Sequence, residues 1–131
     1  MLLWVSKEDF VPRPQQRVMD NMASLYAQYL TERTDDKIVE TVEGFATFRL
    51  MSPKSVYIID IFVLPQYRKN GVASSLAHGI VTEAKRFGCN ELIGTVVPSM
   101  KNSTESIKVL IAFGMSLSSS SDNLVVLRKD I

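Results

Sequence analysis

The chain has 131 residues, with 15 Lys and Arg against 14 Asp and Glu, and one cysteine. That length suits one domain with a proper core, and the near balance of charge argues against a dominant nucleic-acid face, because phosphate binding shows as basic excess. One cysteine excludes an internal disulfide, no window reaches the ~18 apolar residues of a membrane span, and "MLLWVSKEDF" lacks the basic start and long apolar run of a secretion signal, so a cytoplasmic protein is expected.

In chain order, Leu2 to Val5 reads as a short strand, and Pro12 and Pro14 then break the chain. From Gln15 to about Leu30 the apolar residues Val18, Met22, Leu25, Tyr26 and Tyr29 fall at helical spacing and predict one apolar face. "KIVETVEGFATFRLM" is rich in β-branched and aromatic residues, with Glu43-Gly44 in its middle, and predicts a hairpin. "VYIIDIFVL", Val56 to Leu64, is nearly all apolar, as a strand covered on both faces would be. Pro65 stops it.

From Gly71 to Phe87 the pattern is helical, with Val72, Leu76, Ile80, Ala84 and Phe87 on one stripe and Gly88 just past the end. "ELIGTVV" predicts a strand ended by Pro98. Asn102 to about Phe113 predicts a helix with Ile107, Leu110 and Ile111 inward and Gly114 closing it. "MSLS", a turn through Ser118 to Ser121, and "LVVLRKD" make a terminal hairpin. The order β-α-β-β-β-α-β-α-β-β is that of an α/β, or α+β, mixed sheet flanked by helices, with residues 1–131 forming one domain.

One stretch stands out chemically. "QYRKNGVASSL", Gln66 to Leu76, lies between the apolar strand and a helix. Free backbone N–H groups and the positive helix end at such a place favour an anion. Gly71 lets a phosphate approach the backbone, and Arg68 and Lys69 add charge. A plain loop with exposed basic residues would read the same way. Neither G-x-x-x-x-G-K-[ST] nor G-x-G-x-x-G is present, so the usual nucleotide loops are excluded.

Asp60 is the only charge in the Val56–Leu64 run, and plain alternation sets it on the face of Ile58 and Phe62, opposite Tyr57. A carboxylate inside such a strand would be desolvated, which raises its pKa towards that of a useful base. A structural pairing with Arg or Lys is the alternative. Asn102 with Glu105 three residues on has the spacing of a helix-capping box. Cys89 reads as a small buried hydrophobe, and His78, with no second ligand at helical spacing, gives no metal site.

The stretch "IFVLPQYRKNGVASSL" resembles the acetyl-CoA signature of the GNAT superfamily of N-acetyltransferases. In that pattern a strand ends in Val-x-Pro, here Val63-Leu64-Pro65. Arg or Gln-x-x-Gly-x-Gly or Ala follows, here Arg68-Lys69-Asn70-Gly71-Val72-Ala73. "CNELIGTVVPSMKNSTESIKVLIAFGM" resembles the next strand and helix. The resemblance implies a GNAT-like fold that moves an acetyl group from acetyl-CoA to an amine of a small molecule or protein. It implies that the amides of residues 68 to 74, through Ser74, hold the CoA pyrophosphate, that the Phe62 and Val63 backbones pair with the pantetheine arm, and that Asn102 contacts it. Asp60 would be the base. Leu110 departs from the pattern, since a tyrosine acid is frequent there. A GNAT-shaped CoA-binding or regulatory module without turnover is therefore the second expectation, and a homodimer through the terminal strands stays open.

Overall fold

The computed structural model describes residues 24–51 and 53–131, and the first expected strand, Leu2 to Val5, lies outside them. The described residues fall into two compact units, one ending at Ile38 and the other spanning Val39–Ile131.

The first unit holds helix α1, Leu25–Arg33. Of the helix expected from Gln15 to Leu30, residues 15–23 lie outside the described ones, and the extended Ser24 interrupts it before Leu25. Ser24 is extended (φ −62°, ψ 164°), and its hydroxyl accepts the Ala27 N–H at 3.0 Å. A serine cap satisfies a free amide of the first turn, so the helix begins there. Leu25 (80% exposed) and Tyr29 (55%) do not form the expected buried face, and only Leu30 of α1 is buried. Thr34 closes α1, its hydroxyl donating to the Leu30 carbonyl at 2.7 Å.

Among the described residues, six strands form one sheet. They are β1 (Lys37–Glu40), β2 (Gly44–Met51), β3 (Ser55–Val63), β4 (Glu91–Val96), β5 (Ser116–Ser121) and β6 (Leu124–Asp130). Their spatial order is β1-β2-β3-β4-β6-β5. β3 and β4 run parallel, and the chain crosses between them through helix α2, Val72–Arg86, which packs on β2 and β3. A second helix, α3 (Ser103–Ala112), lies on β4.

One face of the sheet carries the core. Phe48 pairs with Ile58, Leu50 with Val56, Val56 with Leu92, and Gly94 with Leu127, and the side chains of this set are buried except the half-buried Leu50. Leu76, Ala77, Ile80 and Ala84 of α2 and Leu110 of α3 complete it. Fully burying each Leu, Ile or Phe contributes about 1.5–3 kcal/mol. Gly94 leaves room for α3, since a Cβ there would stand 3.1 Å from Leu110 Cδ1.

Two residues expected inward are not. Phe87 is the helix-ending residue of α2 and is exposed, and Ile111 of α3 is exposed while Ile107 and Leu110 pack inward. The serine tract also differs from expectation. Ser118 to Ser121 belong to β5, with a register shift between Leu117 and Ser119, and the turn is Asp122-Asn123. β5 is an edge strand exposed along its length, so polar side chains cost nothing there. No helix among the described residues is long and apolar enough to cross a membrane.

Candidate functional site

The site begins as a defect in the ladder between β3 and β4. Pairing runs from Ser55 with Glu91 to Ile58 with Gly94 and then stops, although β3 continues to Val63 and β4 to Val96. Beyond Ile58 the two strands part, and β3 shows an unpaired backbone edge to the gap. The expectation of a strand covered on both faces holds only before this point, because Ile59, Asp60 and Phe62 are exposed.

Alternation decides which backbone groups line the gap. Leu64 N–H donates to the Glu43 carbonyl at 2.9 Å, on the β2 side. Residues two apart share a side, so Phe62 also turns its N–H and C=O to β2. Ile61 and Val63 turn theirs to the gap. Sequence reading named Phe62 and Val63, whereas the register favours Val63 and adds Ile61. An extended ligand could pair there as an added strand.

The gap leads to the loop singled out in the sequence. Pro65–Tyr67 forms a single 3-10 turn, then Lys69 (φ +65°) and Gly71 (φ +80°) take left-handed conformations, and α2 starts at Val72. The first bond of α2 runs from Ser75 N–H to Gly71 C=O at 3.0 Å. The amides of Lys69, Asn70, Gly71, Val72, Ala73 and Ser74 therefore have no acceptor among the described residues. Six free donors at the positive end of a 15-residue helix make an anion cradle. Arg68, expected to add charge at the loop, also makes a bond within the protein. Its Nε donates to the Val63 carbonyl at 2.9 Å and its guanidinium lies 5.7 Å from the Phe62 ring centroid. This ties the loop to the end of β3, with a cation–π contact adding to the bond.

Asp60 stands beside the gap, but its surroundings are not those expected. The β2–β3 register pairs Phe48 with Ile58 and Thr47 with Asp60, so Ile59 is an extra residue, a β-bulge. Opposed residues share a face. Asp60 therefore sits opposite Ile58, on the face of Thr47, Arg49 and Tyr57. The bulge overturns both the placement of Asp60 with Ile58 and its separation from Tyr57. Asp60 is also exposed, so the desolvation expected of it is absent. Plain alternation in the sequence carries no sign of an inserted residue, which is why it missed this.

Asn102 precedes α3 at φ +65° and its side chain makes no capping bond, so the expected capping box is not formed. Ser103 instead donates its hydroxyl to Pro98 C=O at 2.8 Å. Leu110, four residues before Gly114, is buried against Gly94 and brings no polar atom. Cys89 is buried, as a small hydrophobe would be.

Comparison with known proteins adds a frame. A family model described as "Acetyltransferase (GNAT) family" matches residues 2–110. The chain is 27% identical over 94 residues to an aminoglycoside N(6')-acetyltransferase type 1 of Acinetobacter genomosp. 13, covering 69% of this chain and 63% of that protein. It thus spans less than two thirds of that relative's length. Among solved structures, a GNAT family acetyltransferase from Elizabethkingia anophelis with acetyl-CoA bound superposes with a TM-score of 0.62 at 15% identity, covering 92% of each chain. An IAA acetyltransferase from Bacillus cereus gives a TM-score of 0.63 at 16% identity, covering 97% of this chain and 96% of that one. At these identities the likeness is one of fold.

Proposed function

The chain belongs to the GNAT acetyltransferase family, and from that premise we propose that it transfers the acetyl group of acetyl-CoA to a primary amine. The observation that carries the reading is the continuity of the gap with the cradle. A strand edge at Ile61 and Val63 that β4 does not pair, its Val63 carbonyl held by Arg68, runs into six free amides at Lys69 to Ser74. A ligand with an extended amide-bearing arm and a pyrophosphate at its end fits that sequence of donors and acceptors. In this reading residues 1–131 work as one domain.

Each residue then has a role. The cradle amides, with Gly71 allowing close approach, bind the pyrophosphate, and Lys69 adds charge. Arg68 holds the loop on β3. Val63, with Ile61 beside it, pairs with the pantetheine arm while Phe62 backs the strand, and Asn102 contacts the arm from the start of α3. Asp60, at the bulge, takes a proton from the incoming ammonium directly or through water, and the free amine attacks the thioester carbonyl. A backbone N–H on the open edge stabilises the oxyanion that forms.

Two measurements test this. Calorimetry with acetyl-CoA should show binding, and its absence at millimolar ligand would refute the cofactor. Thiol release should then be followed with three acceptors, namely an aminoglycoside bearing a 6′-amine, phenethylamine and a lysine peptide. The first is chosen from the name of the relative. A second reading, a CoA-binding or protein-interaction module without turnover, is favoured by one observation: Leu110 places hydrocarbon where the family frequently has a tyrosine. Binding without thiol release for any acceptor would support it. A homodimer joined along the free edge of β5 is part of the proposal, checked by light scattering at two concentrations.

A further inference from the structure

Acetyl transfer leaves one proton to be supplied. The C–N bond forms as the amine loses a proton, the C–S bond breaks, and the departing thiolate takes up a proton. Leu110 cannot give it. Another hydroxyl stands where the strands part. Tyr57 lies on β3 one residue before the last β3–β4 pair, and Thr95 lies on β4 one residue after it. The Tyr57 hydroxyl and Thr95 Oγ1 are hydrogen-bonded across the seam, and both side chains are half-buried. The bond therefore spans the vertex of the gap. The Ile59 bulge turns Asp60 to the same face, so a carboxylate and a phenol flank one opening.

We propose that Tyr57, held by Thr95, is the proton donor to the departing thiolate, an inference that rests on the acetyl-transfer reading above. Either hydroxyl can donate in the pair. With Thr95 donating to the phenol oxygen, the phenolic proton is free to point into the gap. Thr95 then also stabilises the phenolate left after transfer, and water returns the proton. Arg49, the register partner of Tyr57 on β2, adds positive charge to the same face, and Asp60 adds negative charge.

The test uses the whole chain, acetyl-CoA, and S-phenyl thioacetate as a second donor whose arylthiolate leaves without needing a proton. With the acceptor that the wild type turns over best, Tyr57→Phe should lower kcat with acetyl-CoA by about 100-fold or more, the range of lost general-acid catalysis. Its acetyl-CoA Kd should stay within about twofold, as expected of an interaction made only in the transition state. With S-phenyl thioacetate, the enzyme-dependent rates of wild type and variant, after the enzyme-free rate is subtracted, should lie within about threefold of each other, since no general-acid contribution is left to lose. Thr95→Val should show a smaller loss of the same kind, and Thr95→Ser should restore it. If Tyr57→Phe does not fold, Thr95→Val carries the same comparison of donors. Unchanged turnover with acetyl-CoA, or equal losses with both donors, would overturn the proposal while leaving acetyl transfer intact. Absence of wild-type turnover with every acceptor would overturn acetyl transfer itself, and the proton donor with it.

Discussion

Gly71 adopts φ +80° with nothing within 4 Å of the Cβ that another residue would carry. Space is available, so the constraint is conformational. Gly71→Ala should cost about 1 kcal/mol of stability, the usual penalty for a left-handed alanine, and should keep acetyl-CoA binding within about tenfold. Gly71→Glu should abolish binding, because it adds a carboxylate to a cradle that recognises anions. Calorimetry on both variants separates strain from charge. At Asp60 the expected loss is in rate. Asp60→Asn should lower kcat about 100-fold, as general-base catalysis contributes, with the acetyl-CoA Kd unchanged in the same calorimeter. The sequence marked Gly71 as a turn between a strand and a helix, which the structure shows as a left-handed residue before α2, although a plain loop would have read the same way. The setting of Asp60 was not legible, since one inserted residue moved it to the other face.

Among the elements, β3 does two jobs with one strand. Up to Ile58 both its faces are covered, and after the bulge the face of Asp60 and Phe62 is exposed while Ile61 and Val63 still pack on the core. The hydrophobic run Val56 to Leu64 gave the strand but not the change of use, because Ile59 and Phe62 are as apolar as Val56 and Ile58. Ser118 to Ser121 show the opposite error. Serines suggest a turn, but backbone pairing with β6 makes a strand whose side chains are exposed, with Ser118 Oγ accepting from Arg128 Nε at 3.1 Å. The close approach of β2 to β3 gives a sharper test. A Cβ on Gly44 would stand 2.2 Å from the Phe62 carbonyl oxygen, a backbone atom with no freedom to move aside. Gly44→Ala should therefore destabilise by about 1–3 kcal/mol, in line with other overpacked sites. Urea unfolding measures it, and weaker acetyl-CoA binding should accompany it, since Phe62 neighbours Val63.

For the molecule as a whole, the net charge of +1 gives little long-range attraction for an anionic ligand. In the proposed reading, capture depends on the local donors at Lys69 to Ser74. Stability should follow ligand concentration by mass action. Acetyl-CoA at 100 times its Kd should add about 2.7 kcal/mol, raising Tm by about 10 °C for a chain of this size, and a thermal shift series reads it directly. The element order from Lys37 onward was legible because periodicity switches clearly between strands and helices. The gap was not, because nothing in "ELIGTVV" says where its pairing with β3 ends.

That gap leaves the sheet unfinished between β3 and β4. An unpaired edge inside a fold exchanges its amide hydrogens readily and is open to any passing extended chain. A ligand seated along Ile61 and Val63 would serve as a borrowed strand. The amount of intact protein in a cell, where proteases sample the opened state, would then rise and fall with the supply of acetyl-CoA, making abundance itself a readout of the metabolite.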